Sequence, residues 1–130
     1  MLIIKPIQTK EQQATACRAC GIEFHPNSLA YAAYVDDVFT GISQFTLNDE
    51  YGLLENLVCA EGIDDFEALF IMGRQTMNFI DLCNVHVAEI LPTAATERLI
   101  IALGFKKQDD GHFRIDMTGF FEGGSCQSKH

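Results

Sequence analysis

Basic residues are scarce in this chain of 130 residues. Nine Lys and Arg stand against eighteen Asp and Glu, giving a net charge of −9. Nucleic acid is held through clustered Lys and Arg on its phosphates, so this deficit argues against such a partner. It is also concentrated in one half. No Lys or Arg falls between Arg18 and Arg74, while ten acids do: Glu23, Asp36, Asp37, Asp49, Glu50, Glu55, Glu61, Asp64, Asp65 and Glu67. Such a half attracts a basic substrate and repels a polyphosphate, or simply serves as a solvated face that keeps the protein soluble. A long apolar run is missing too. Met1-Leu-Ile-Ile is followed at once by Lys5 and Pro6, too short for a signal peptide or for a span of ~20 residues. The expected compartment is the cytoplasm, with no membrane partner. Low-complexity linkers and internal repeats are absent. One domain is expected over 1–122, followed by a flexible tail at 123–130.

A second metal-binding motif is likewise lacking. Cys17 and Cys20 form a C-x-x-C pair with His25 five residues later, but no second C-x-x-C or H-x-x-H accompanies them. A zinc site needs such partners, and a redox dithiol normally opens a helix rather than closing one. Five cysteines are an odd count in a chain without a secretion signal, so reduced thiols are expected. Cys17 and Cys20 read as small helix residues, and no metal is expected.

What is present is a well-patterned core, with 48% hydrophobic residues. Residues 53–58 and 85–90 are β-rich and flank an amphipathic segment. Within it Phe66, Leu69, Phe70, Gly73, Met77, Ile80 and Cys83 recur at helical spacing and predict one buried stripe. Strand, helix and strand in that order imply a right-handed unit with parallel strands. Its helix begins at the carboxyl end of the first strand, where free N–H groups favour an anion. Upstream, 2–7 reads as a strand and 10–20 as a helix, capped by Thr9 with Gln12 and stopped by Gly21. Residues 29–35 and 38–47 form a hairpin about Asp36-Asp37. Downstream come a helix at about 94–103, closed by Gly104, and a hairpin through Asp110-Gly111. The expected class is α/β (α+β), a mixed sheet with helices on both faces, in the order β-α-β-β-β-α-β-α-β-β.

That order, with Glu97-Arg98-Leu99 through Ala102-Leu103-Gly104-Phe105 ending the last helix in a Gly-Phe corner, resembles the GCN5-related N-acetyltransferase (GNAT) superfamily. The resemblance covers about 2–118. It implies an N-acyltransferase that moves an acetyl or other acyl group from acyl-CoA to an amine. Acetyl-CoA would lie where the fourth and fifth strands splay. Leu57, Val58 and Cys59 would then face the acyl group. The turn through Gly62, Ile63, Phe66 and Ala68 would face the pyrophosphate, and Thr93 would face pantetheine. Glu55 is the position-matched candidate for a general base, able to take a proton from a substrate ammonium. Tyr51 and His86 are weaker candidates, and His86, set between valines, reads as a core residue. His112, after the Asp-Gly turn, reads as exposed.

Three positions depart from the family pattern. The turn [RQ]-x-x-G-x-[GA] is here Ile63-Asp64-Asp65-Phe66-Glu67-Ala68, and only Ala68 fits. Phe66 stands in place of a glycine whose bare backbone lets phosphate approach. Its three acids would add repulsion on the order of 1 kcal/mol each while stabilising the helix start. Ile100 occupies the place of the Tyr that protonates the departing thiolate, and Thr93 that of an Asn. Two readings follow: an acyltransferase, or a non-catalytic GNAT-fold binding module with a degenerate acyl-CoA site. Phe120 and Phe121 are candidates for a homodimer contact or a cover for the core.

Overall fold

The computed structural model describes residues 1–121, and the expected tail at 123–130 lies outside them. Ten elements follow the order read from the sequence: β1 (Leu2–Pro6), α1 (Lys10–Cys20), β2 (Leu29–Val35), β3 (Val38–Leu47), β4 (Gly52–Cys59), α2 (Phe66–Leu82), β5 (Val87–Ile90), α3 (Glu97–Leu103), β6 (Lys106–Lys107) and β7 (Phe113–Asp116). Local chemistry sets most of the boundaries. The Thr9 hydroxyl accepts from the Gln12 amide to open α1, and Gly21, at φ 68°, closes it. Asp36 and Asp37 both take positive φ, 51° and 69°. Such a two-residue turn matches the twist of the strands it joins.

The strands form one seven-stranded sheet in the order β1-β2-β3-β4-β5-β7-β6. Only β4 and β5 run parallel. α2 and α3 pack on one face, where Met72, Met77 and Ile80 meet Phe45, Leu54, Leu57, Leu99 and Leu103. α1 covers the other face, setting Ala16, Cys17 and Cys20 against Ala30 and Ile42. The two cysteines are therefore packing residues, as expected. Burial pushes the Cys20 thiol up to about 12 and also raises Cys17.

Three expectations need correction. The buried stripe of α2 is Ala68, Met72, Gly73, Thr76, Met77 and Ile80, while Cys83 is an exposed C-cap. Gly73, Met77 and Ile80 keep their expected place, and a Cβ at Gly73 would come within 2.9 Å of Leu103 and 3.0 Å of Leu57, whereas Phe66, Leu69 and Phe70 are only partly buried at the edge of that core. His86 is not in the core. The chain turns at Asn84 (φ 67°), β5 begins only at Val87, and His86 lies exposed with its Nδ1 2.6 Å from Asp81 Oδ1. The last helix starts at Glu97 rather than near 94, because Thr96 caps it through the Leu99 amide. The closing hairpin forms as read, with Gly111 at φ 89°.

Candidate functional site: a cleft where β4 and β5 part

β4 carries the candidate site because its two neighbours treat it differently. Against β3 it pairs from Gly52 to Cys59, with an irregularity at Glu55: Gln44 faces Asn56 while Phe45 faces Leu54. The extra residue is Glu55, and such a bulge re-aims side chains locally. Against β5 the pairing stops after three residues, Gly52 to Leu54 opposite Ala88 to Ile90. Beyond that point β5 gives way to the loop at 91–96, and the two strands separate.

The parting opens a cleft of about 790 Å³, lined on one side by Leu57 to Asp64 and Phe66 and on the other by Thr93, Ala95, Thr96 and Arg98. Seven of the eight residues expected to hold a donor line it: Leu57, Val58, Cys59, Gly62, Ile63, Phe66 and Thr93. Ala68 does not. It is buried on the core side of the first turn of α2, and its amide is taken by the Asp65 carboxylate at 3.0 Å. A second backbone donor is also occupied, since the Leu57 N–H donates to the Ala94 carbonyl at 2.8 Å. Alternation along a strand then makes Cys59 the next residue whose backbone points into the gap. Its amide is the strand-edge donor best placed for a ligand carbonyl.

The Cys59 thiol is a wall of this cleft rather than a nucleophile. Burial raises its pKa, the Asp65 and Asp64 carboxylates raise it further, and a long contact to the Asp65 carbonyl (3.8 Å) opposes them. It stays protonated at neutral pH. Ile100 is fully buried in the core, so no acid group stands at the place of the family's tyrosine.

Glu55 lies half-buried upstream of the cleft, ~7 Å along the strand from Leu57 at strand spacing. Its carboxylate accepts a hydrogen bond from the hydroxyl of Ser28, a buried residue that opens β2. Behind it runs a buried amide chain. The Gln13 side chain donates to Gln44 (2.8 Å), and Gln44 donates to Asn56 (2.7 Å) and to the Glu23 carbonyl (3.0 Å). This chain ties α1 and the 22–28 turn to the bulge of β4 and so fixes where Glu55 sits. Tyr51 stands in the turn before β4, its carbonyl accepting from Asn48. That is the far end of the strand, ~20 Å from Leu57, so the structure does not bring Tyr51 to the cleft. His86 and His112 are also outside it.

Two features escaped the sequence reading. Among the described residues Arg98 is the one cation lining the cleft, its guanidinium carbon 4.1 Å from the centre of the Phe66 ring. Ser28 is the partner of Glu55. Neither sits in a motif. Only the docking of α3 on α2, and of the 22–28 turn on β4, reveals them. Phe120 and Phe121 stack edge-on at 4.9 Å and lie against the guanidinium of Arg74, 4.8 and 5.6 Å away.

A seven-stranded mixed sheet, a bulge in the fourth strand, and a parallel pair that splays beyond it define the GNAT fold. No family model and no curated protein matches the sequence. Solved structures do match the fold. Ribosomal-protein-S18-alanine N-acetyltransferase from Escherichia coli superposes with a TM-score of 0.71 at 11% identity, over 90% of this chain and 94% of that one. An IAA acetyltransferase from Bacillus cereus gives 0.68 at 14% identity, over 90% and 99%. A PaiA N-acetyltransferase from Thermoplasma acidophilum, solved in complex with coenzyme A, gives 0.66 at 10% identity, over 88% and 96%.

Proposed function

We propose that this protein is a divergent member of the GNAT superfamily that transfers an acetyl or other acyl group from acyl-CoA to an amine. The observation that carries the reading is the parting of β4 from β5 after Leu54 and Ile90, which opens the cleft onto the Leu57–Cys59 edge. A thioester lying along that edge finds the Cys59 amide as a donor to its carbonyl oxygen, where negative charge develops during acyl transfer. Glu55 takes a proton from the substrate ammonium, and the freed amine attacks the thioester carbon. The C–N bond forms, the C–S bond breaks, the nitrogen sheds its remaining surplus proton to solvent, and the thiolate leaves as coenzyme A. Its proton comes from the solvent, because Ile100 has none to give. The acidic stretch from Glu23 to Glu67 favours a cationic acceptor on electrostatic grounds.

A second reading rests on two specific contacts. The Asp65 carboxylate fills the Ala68 amide, and the Ala94 carbonyl fills the Leu57 amide. A site that satisfies its own donors is what a non-catalytic binding module would show. Calorimetric titration of acetyl-CoA and CoA separates the two. Micromolar binding, followed by amine acetylation that Glu55→Gln reduces by roughly 10²-fold or more, supports the transferase. Silence at millimolar ligand sinks it and favours the module.

A further inference from the structure

We infer that the cleft recognises a single phosphate of its donor, through the Arg98 guanidinium, and gains nothing from the 3′-phosphate of coenzyme A. This rests on the reading that an acyl-pantetheine thioester occupies the cleft. The family pattern carries a glycine where Phe66 stands, and the side chain of Phe66 lines the cleft. Arg98 lies over that ring at 4.1 Å, reaching across from α3. Glu61 and Asp64 line the same cleft. Yet among the described residues no carboxylate stands at ion-pair distance from Arg98. A guanidinium over a ring with no carboxylate partner leaves its N–H donors available, and its planar fork matches two oxygens of one phosphate. Phosphate recognition has thus moved from a bare backbone to a side chain on the opposite wall.

The charge count limits what that side chain can hold. Among the described residues Arg98 is alone as a cation at the cleft, while Glu61, Asp64, Asp65 and Glu67 carry four negative charges along the facing turn. The first phosphate meets the guanidinium. Each further phosphate meets only the field of the acids, which opposes it.

The test compares acetyl-CoA, its 3′-dephospho analogue and S-acetyl-pantetheine by calorimetry at low ionic strength. The wild-type and Arg98→Gln proteins are both measured. The dephospho analogue is expected to bind within threefold of acetyl-CoA or more tightly, and S-acetyl-pantetheine at least tenfold more weakly. Arg98→Gln is expected to weaken both phosphate-bearing ligands about tenfold, or about 1.4 kcal/mol, and to leave S-acetyl-pantetheine unchanged. Arg98 is exposed, and a thermal melt verifies that the variant folds. Acetyl-CoA binding more than threefold tighter than its dephospho analogue overturns the inference. So does an Arg98→Gln variant that binds acetyl-CoA like the wild type. Both of those outcomes leave the donor cleft standing, whereas a failure of all three ligands removes the cleft and the inference together.

Discussion

Neutralising the two acids at the mouth of the cleft isolates their effect on a donor. Asp64→Asn with Asp65→Asn removes two charges next to the α2 start and keeps the cap, because Asn serves as an N-cap about as well as Asp. The Asp65 side chain accepts from the Ala68 amide at 3.0 Å, and an asparagine carbonyl can do the same. A carboxylate and a phosphate ~10 Å apart repel by about 0.4 kcal/mol at the dielectric of water and about 1.7 kcal/mol at a near-surface value of 20. Taking about 1 kcal/mol for each acid, the double variant should bind acetyl-CoA roughly 30-fold more tightly at low ionic strength. At 0.15 M salt the Debye length is ≈ 8 Å, and the gain should shrink to a few-fold. The wild type should accordingly bind more tightly as salt is added, and the variant should lose that trend. Loss of the favourable helix-end charges costs about 0.3–1 kcal/mol each in stability, which a melt will register. Calorimetric titration across salt concentration is the assay. A gain below threefold at low salt, with the fold intact, refutes the electrostatic account of this turn.

Three further outcomes follow from packing and titration. A Cβ at Gly41 would lie 2.6 Å from the Val58 carbonyl oxygen and 3.2 Å from Cys59 Cα, so Gly41→Ala must push β3 from the cleft strand. It should cost about 1–3 kcal/mol by overpacking and lower Tm by several degrees in a melt; an unchanged Tm would show that the strands yield freely. Ser28→Ala removes the hydroxyl bonded to Glu55 and should lower kcat roughly tenfold by loosening the carboxylate, with acetyl-CoA binding unchanged by calorimetry; an unchanged kcat would show that Ser28 does not position Glu55. Burial raises the Cys20 thiol from 9.0 to about 12, so the unfolded chain ionises first as pH climbs. Stability should be fully present below about pH 9 and fall from there towards pH 12, as read by denaturant titration at each pH, and Cys20→Ala should flatten part of that fall.

Most of the fold was legible because its signals are local. Thr9 and Gln12, Gly21, the Asp36-Asp37 pair and Gly111 each fix a cap or turn through the conformation of a few residues. The alternation and spacing of apolar residues between them give the elements and their order, and that order carries the resemblance to the GNAT superfamily. The place of Leu57 to Cys59 along a cleft was legible as well, since it follows from the position of the central strand in that order.

What the sequence could not determine depends on distant pieces meeting. That Ala68, Met72 and Thr76, rather than Phe66, Leu69 and Phe70, complete the buried side of α2 beside Gly73, Met77 and Ile80 depends on how the sheet and α3 pack against the helix, which spacing alone does not contain. The end of β4–β5 pairing at Leu54, the filling of the Leu57 amide by Ala94, and the placing of Arg98 over Phe66 are all contacts between segments far apart in the chain. His86 looked buried between valines and is exposed, because the strand begins two residues later than its apolar pattern suggests. Local patterning names the elements of this protein. Only the tertiary structure decides which of their polar groups are already satisfied and which stand open to a ligand.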